Sequence, residues 1–272
     1  MSEPIDLKNT KQFKSLQKKT ERNEVNVIDK EKVYKIFSNN PNFLQSEFIR
    51  LQQIWTNNAY NSFHDHDKYL ILIYLYDKVL ENYKNRLIYF SFEDFYLAGE
   101  LIIEKINLIE ISKELSIPKE TVRRKINELQ EKNIIFRKGS KIYLKNSPDH
   151  KQKPITSLKL ISKFLHQSSS LLQNEEWFLE RPTLEHIEKF HEKYFTLCWK
   201  NFYNFQIPFL IRCRKLYGDL ETWNVWASIA ICQFLDYQNK INQSVVVKPT
   251  DYEDMFLNFM EHKSKYGINA SS

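Results

Sequence analysis

The sequence predicts a mainly α-helical protein with a central pair of short helices that is followed by a small β-hairpin. Apolar residues recur at helical spacing along most of the chain. Glycine is scarce, with 4 residues among 272. Between residues 107 and 145, two amphipathic segments flank a turn marked by Pro118, and two apolar segments then flank a basic turn. This order is typical of a winged helix-turn-helix.

The N-terminal part contains a polar segment and then a helical region. Residues 1–24 are lysine-rich with few apolar anchors, and we expect them to form a disordered basic tail. In the region 25–90, the apolar pattern predicts a helix over 29–37, a second over 43–55 and a third over 65–85. The third has apolar residues on more than one face, which indicates deep burial or contact with another subunit.

The segment 91–145 is predicted to form the winged helix-turn-helix domain. It begins with a helix over 91–105 that is capped by Ser91. The apolar side chains expected to point inward from this helix are Phe95, Leu97, Leu101 and Ile102. Asn107 then caps the first short helix, with Glu110 placed as in a capping box. The apolar stripes of the two short helices are Leu108, Ile111 and Leu115 on the first and Val122, Ile126 and Leu129 on the second.

The second short helix, 118–131, directs polar residues outward, namely Lys119, Glu120, Arg123, Arg124 and Asn127. Arginine makes bidentate hydrogen bonds to guanine and a carboxylate accepts from the cytosine amino group, so this face suits a major groove. Lys125 and Lys132 suit phosphates better than bases. The hairpin follows, and its turn at 137–141 contains Gly139 and three cations. A basic turn of this kind suits the phosphate backbone or a minor groove.

The net charge of the protein is concentrated in this module. Residues 119–145 contain nine basic and three acidic side chains, which equals the formal charge of +6 of the whole chain. The other 245 residues contain 31 side chains of each sign. A neutral body with one basic surface is what binding to a polyanion requires. The predicted DNA-binding residues are Lys119, Glu120, Thr121, Arg123, Arg124, Lys125, Asn127, Arg137, Lys138, Ser140 and Lys141.

The run Lys119-Glu120-Thr121-Val122-Arg123-Arg124 resembles the recognition helix of bacterial transcription regulators of the cyclic-AMP-receptor type and of the GntR type. In the former family, the residues that match Lys119, Glu120 and Arg124 contact bases. Lys119 stands where that family usually has arginine. The resemblance is confined to residues 107–145, because residues 1–90 lack the β-rich ligand domain and the glycines of the family. It implies a DNA-binding module and no particular effector.

The C-terminal part is predicted to be helical. Residues 146–156 contain two prolines and few apolar side chains, so we expect a linker. The region 157–272 is expected to serve dimerisation or ligand sensing. Its predicted helices span 157–173, 183–204, 207–217, 220–239 and 251–263. Thr183 is expected to cap a helix, Pro208 to interrupt one and Gly218 to end one. Strands are expected only in the hairpin, apart from a short extended piece at 244–247.

Aromatic residues are abundant in the C-terminal part, among them Trp177, Phe178, Phe195, Trp199 and Trp223. Three interpretations stay open at this point. The aromatic residues can form a plain helical core, line a pocket for a small apolar or aromatic effector, or form a dimer interface.

The sequence lacks the patterns of several enzyme classes. The four glycines are too far apart for a nucleotide-binding loop or a nucleophile elbow. Cys198, Cys213 and Cys232 have the spacing of neither a disulfide framework nor a zinc ribbon. The cluster at residues 64–67, His-Asp-His-Asp, contains metal-ligand types but lies where a helix begins. Capping by an aspartate is therefore favoured over metal binding, and we expect no enzyme activity, no cofactor and no metal.

These patterns together predict a sequence-specific DNA-binding protein, a transcriptional regulator that acts as a homodimer. Helix 118–131 would read a major groove of double-stranded DNA, and the turn 137–141 would contact the flanking backbone. No apolar run is long enough to cross a membrane and no N-terminal segment resembles a signal peptide, so a cytoplasmic location is expected. The alternatives are an adaptor whose winged helix binds another protein and a plasmid-type replication initiator.

Overall fold

The computed structural model describes residues 29–97, 99–103, 107–139, 141–145, 152–173 and 180–242. This part of the chain is mainly helical and contains one three-stranded antiparallel sheet. The predicted fold class is confirmed at that level. Several predictions lie outside the described residues, namely the tail 1–24, Ser140, Trp177, Phe178, the extended piece 244–247 and the helix 251–263.

The elements follow one another along the chain with short connections. The first helices are α1 (Lys30–Ser38), a single turn at Pro41–Phe43, a π-helical segment at Leu44–Ile49, α2 (Arg50–Phe63), α3 (His66–Asn85) and α4 (Phe92–Leu97). The central elements are β1 (Glu100–Ile103), α5 (Leu108–Leu115), α6 (Lys119–Glu131), β2 (Ile135–Lys138) and β3 (Lys141–Lys145). The last helices are α7 (Gln152–Leu172), α8 (Leu184–Lys193), α9 (Phe195–Tyr217) and α10 (Leu220–Asn242).

Helix starts were the best predicted local feature. The side chains of Asp65, Asn107 and Thr183 each accept a hydrogen bond from the backbone nitrogen three residues further on. An N-cap side chain satisfies one of the otherwise unpaired N–H groups at a helix start. These caps confirm the predicted starts of α3, α5 and α8. Gly218, with φ of +88°, ends α9 as predicted.

The predicted helix over 91–105 is wrong in its second half. Helix α4 ends at Leu97, Gly99 takes a positive φ of +71°, and residues 100–103 form β1. Burial alternates along this strand, so Leu101 is buried while Ile102 is 41% exposed. Leu97, also predicted to point inward, is 72% exposed. Strand β1 also corrects the expectation that strands are confined to the hairpin.

The C-terminal helices differ from the prediction in three places. Helix α7 begins at Gln152, inside the expected linker. The predicted helix over 183–204 is divided at Tyr194, which separates α8 from α9. Pro208 does not interrupt α9. Pro208 and Asn204 are both exposed, so the carbonyl of residue 204, which a proline at 208 deprives of its donor, lies on the solvent side, where water can satisfy it.

One contiguous hydrophobic core connects the helical body with the central module. Helix α3 is its axis, packing most extensively on α9 and also contacting α2, α5, α6, α10 and β1. The core includes Trp55 of α2, Ile111 of α5, Val122 of α6 and Ile142 of β3. The aromatic residues Phe195, Trp199 and Trp223 are buried in it, which favours the helical-core interpretation at these positions. None of the described helices is long and apolar enough to cross a lipid bilayer.

Candidate nucleic-acid interface

The turn between α5 and α6 is closed by both backbone and side-chain hydrogen bonds. Ser116 ends α5 in the left-handed region with φ of +55°. The amide of Ile117 donates to the carbonyl oxygen of Ser112 at 3.1 Å, and the hydroxyl of Ser112 donates back to the carbonyl oxygen of Ile117 at 2.7 Å. Pro118 occupies the N-cap position of α6. Of the predicted apolar stripes, Ile111, Leu115, Val122, Ile126 and Leu129 are almost completely buried, whereas Leu108 is half-buried.

The outer face of α6 is polar and exposed. The predicted residues Lys119, Glu120, Arg123, Arg124 and Asn127 are all exposed, as is Glu131, whereas Thr121 is half-buried. The guanidinium of Arg123 contacts one carboxylate oxygen of Glu120, with Nη2 at 2.7 Å and Nε at 2.8 Å. Both side chains are more than half exposed, so this ion pair costs little to open. The Arg124 side chain is 67% exposed, and its Nε lies 3.9 Å from Oε1 of Glu128.

Lys125, which the sequence placed among the phosphate partners, has a different environment. Its side chain is only 12% exposed, and its ammonium forms an ion pair with Asp65, the N-cap of α3. Lys125 Nζ also lies 3.3 Å from Glu128 Oε1, and Lys68 Nζ lies 2.5 Å from the other oxygen of Glu128. The four charges alternate in sign and cancel. They join α6 to the start of α3, so the cation of Lys125 is engaged within the protein.

The pKa values of this cluster indicate that its charges stabilise one another. Burial alone lowers the pKa of Lys125, but the hydrogen bonds with Asp65 and Glu128 outweigh this effect and raise it. The hydrogen bond from Lys68 lowers the pKa of Glu128. All of these shifts favour the charged forms, as expected for paired groups in a partly buried place.

The cluster at residues 64–67 joins the start of α3 to the helices α6, α2 and α10. Asp65 contacts α6 through Lys125. His66 Nε2 lies 3.2 Å from the carbonyl oxygen of Thr56 in α2, and its Nδ1 lies 3.0 Å from Glu221 in α10. Although burial raises the pKa of Glu221, its hydrogen bonds with His66 lower it to about 2. These contacts use the side chains structurally, in keeping with the capping interpretation.

Asp67 in the same cluster supports the turn between α5 and α6 through one arginine. Nε of Arg214 donates to Asp67 at 3.0 Å, and its Nη1 donates to the carbonyl oxygen of Ser116 at 3.0 Å. The C-terminal end of α9 is thereby fixed against the turn that precedes α6. Sequence reasoning missed this link because residues 67, 116 and 214 are far apart in the chain. Among the residues that the structure describes, no group of three or more His, Cys, Asp or Glu side chains is arranged to hold a metal ion.

The hairpin adds a second cationic surface beside α6. The sheet order is β1-β3-β2, and its inner face buries Leu101, Ile103, Ile135, Ile142 and Leu144. Arg137 pairs with Ile142 across the strands, whereas Lys138 pairs with Lys141. Because side chains alternate along a strand, Lys138 and Lys141 point to the outer face and Arg137 to the opposite one. All three cations are exposed, so the basic turn presents charge on both faces of the sheet.

A small cavity in the aromatic core is lined by Leu158, Ile161, His191, Phe195, Cys198, Trp199 and Phe202. Its volume is about 10 Å³, which is room for one water molecule at most. At its edge, the hydroxyl of Ser162 lies 2.7 Å from Nδ1 of His191, and both residues are buried. Burial lowers the pKa of His191. This cavity is too small for a small-molecule effector.

No family model, curated protein or solved structure matches this chain. The functional conclusion therefore depends on the geometry of the molecule itself.

Proposed function

We propose that this protein binds double-stranded DNA sequence-specifically and acts as a transcriptional regulator. The observation that carries the proposal is the outer face of α6, where Arg123, Arg124 and Lys119 are exposed on a helix whose inner face is fixed to the body. Binding is favoured when the contact groups are held in place before the partner arrives, because less conformational freedom is lost.

The arrangement of elements supports a winged helix-turn-helix. Helix α4, strand β1, helices α5 and α6, and strands β2 and β3 follow in this order, and β1 pairs with β3. The two strands that follow α6 form the hairpin of the wing. Helix α6 has 13 residues, so it is about 20 Å long. An α-helix with its side chains is about 10–12 Å across, so it fits a major groove that is about 12 Å wide.

The charged residues of α6 and of the wing have different roles in this mechanism. Arg124, whose side chain is the more exposed of the two arginines on α6, is the best placed to make a bidentate contact with guanine. Glu120 holds Arg123 in the free protein and can accept from a cytosine amino group when the pair opens. Arg137 and Lys141 of the wing bind the phosphate backbone, which fixes the register of the helix in the groove. Lys125 orients α6 and does not touch the DNA.

The proposal is tested by selecting bound sequences from a pool of random duplexes with the full chain. We expect an enriched motif, and a motif with two-fold symmetry would support the proposed homodimer. Arg124→Ala should weaken binding to that motif by about 1–3 kcal/mol and relax the preference at one position. Lys189→Ala is the matched control, because Lys189 is an exposed cation on α8 whose removal changes the net charge equally.

Two results would overturn the proposal. One is a pool without any enriched sequence, which would favour the alternative that the module binds another protein. The other is an equal effect of Arg124→Ala and Lys189→Ala on affinity for the enriched duplex. Equal effects would mean that only total charge matters, and that α6 does not read bases.

A further inference from the structure

The outer face of the three-stranded sheet carries a row of apolar and aromatic side chains, one from each strand. Tyr143 of β3 pairs with Ile102 of β1 on one side and with Phe136 of β2 on the other. The residues before and after them in the strands include the buried Leu101, Ile142 and Ile135, so the row lies on the face that points away from α5 and α6. All three members of the row keep some contact with solvent.

The two rings of this row are parallel. The centroids of Phe136 and Tyr143 are 4.7 Å apart, and their planes differ by 8°. Strand β2 is at the edge of the sheet. The ring face of Phe136 that points away from Tyr143 therefore has no neighbouring strand among the described residues. An aromatic stack that ends at a sheet edge is a surface on which a further flat ring can continue the stack.

Three lysine side chains lie on the same face of the sheet as this stack. Lys138 Nζ lies 5.3 Å from the centroid of Phe136 and 5.4 Å from that of Tyr143. Because it is about equally far from both, the ammonium lies beside the stack and leaves the outer ring face of Phe136 open. Lys141 and Lys145 point to the same side of the sheet and are exposed, with Glu100 paired to Lys145. The cationic charge on this face exceeds the anionic charge.

We propose that this sheet face binds an unpaired nucleotide of single-stranded DNA. The base stacks on the outer ring face of Phe136, and the exposed Lys138 beside the stack binds the adjacent phosphate. Aromatic rings with neighbouring cations are the general means by which proteins bind single strands without sequence preference. This site is separate from the proposed reading of duplex DNA by α6. It depends on that proposal in one respect, because a duplex bound to α6 would lie beside the sheet. It gives the protein a preference for a duplex that continues into a single strand.

The test compares the binding of three labelled probes to the full chain by fluorescence anisotropy. The first probe is a blunt duplex. The second is the same duplex with an oligothymidine overhang at both 3′ ends, and the third is the oligothymidine strand alone. The overhang should tighten binding about fivefold or more, because one stacked base contributes a factor of roughly 5 to 150. Phe136→Leu should abolish this gain and leave blunt-duplex affinity unchanged. Phe136→Tyr, which keeps a ring, should retain the gain.

Ile102→Ala is the matched control, since it removes an exposed side chain from the same row without removing a ring. It should retain the overhang preference. The proposal is wrong if the overhang adds nothing to the affinity, or if Phe136→Leu keeps the full gain. The result also separates the two proposals. Blunt-duplex binding that depends on Arg124 without any overhang preference would refute this inference alone, and oligothymidine binding without blunt-duplex binding would refute the duplex proposal alone.

If Phe136→Leu proves unstable, Tyr143→Leu and Tyr143→Phe provide a second pair on the neighbouring strand. A smaller overhang gain in Tyr143→Leu than in Tyr143→Phe supports the stack, because the ring at position 143 packs parallel to Phe136 and holds it in place for the base. Equal gains in both variants overturn it. Urea denaturation of each variant shows whether it is folded under the binding conditions.

Discussion

The two faces of α6 both carry basic side chains, but these differ in exposure and in ion pairing. Lys125 on the inner side is 12% exposed and forms ion pairs with Asp65 and Glu128. Arg124, the preceding residue, is 67% exposed and has its nearest carboxylate oxygen at 3.9 Å. One cation fixes the helix to the body, and the other is available to a partner. A count of basic residues gives the charge of a surface, but only the three-dimensional partners show which charges are available.

The largest effect is expected from Asp65→Ala, which acts on the inner face. The change removes the N-cap of α3 and leaves Lys125 partly buried with a weaker set of partners. Loss of a cap costs about 1 kcal/mol and loss of one partner of a buried ion pair costs more, so we expect the free energy of unfolding to fall by about 2–4 kcal/mol. Urea denaturation measures it.

Asp65→Asn separates the two contributions of Asp65. Asparagine caps a helix as well as aspartate does but carries no charge, so Asp65→Asn should recover about 1 kcal/mol of the loss seen in Asp65→Ala and keep the part that comes from the ion pair. A change below about 0.5 kcal/mol in Asp65→Ala, the range of ordinary surface substitutions, would contradict the view that this cluster fixes α6.

Lys125→Met and Arg124→Ala form a pair that tests the comparison directly. Lys125→Met should reduce the free energy of unfolding by about 1–2 kcal/mol, because Asp65 loses its counter-ion. Its DNA affinity, measured where the variant is folded, should stay close to that of the wild type. Arg124→Ala should weaken DNA binding but change the free energy of unfolding by no more than about 0.5 kcal/mol. Similar profiles for the two variants would mean that the faces are not functionally distinct.

A smaller effect is expected from Arg214→Lys, about 1 kcal/mol, because a single ammonium cannot bind Asp67 and the carbonyl of Ser116 as the arginine fork does. The loss should be local. Hydrogen exchange of the Ile117 amide should become faster, whereas amides in the middle of α3 should be unaffected. Unchanged exchange at Ile117 would show that Arg214 does not support the turn.

The smallest effect is expected from His191 and concerns pH. Burial lowers the pKa of His191 below its ordinary value of 6.5, so the unfolded chain binds a proton more readily than the folded one. Stability from this group is therefore complete above pH 6.5 and declines as the pH falls towards the folded-state pKa. His191→Gln should reduce the slope of unfolding free energy between pH 7 and 5. His186→Gln, at an exposed position on the same helix, is the matched control.

Local signals in the sequence predicted local structure well. The caps at Asp65, Asn107 and Thr183 and the buried stripe of α6 depend on residues three to seven positions apart, and all of them are confirmed. The errors arose where contacts between residues far apart in the sequence decide the local structure or the environment of a side chain. The segment at 100–103 has helical neighbours in sequence, but it becomes a strand because β3 supplies its hydrogen bonds. Lys125 appeared available because its partner Asp65 is 60 positions away along the chain.

The same distinction applies to the candidate site. The exposed face of α6 followed from periodicity alone, since residues outside a buried stripe must face outward. The stacked pair of Phe136 and Tyr143 was not anticipated, although both residues lie in the two apolar segments that were predicted to flank the basic turn. Their contact depends on the register of the turn, because a shift of one residue would move each ring to the other side of the sheet.

The contiguous core has a consequence for how the molecule melts. Because Ile111, Val122 and Ile142 share one buried cluster with Trp55 and Trp199, the central module and the helical bundle should denature in a single cooperative transition. A partner that attaches only to the module would then raise the melting temperature of the entire polypeptide, by an amount set by its concentration relative to its dissociation constant.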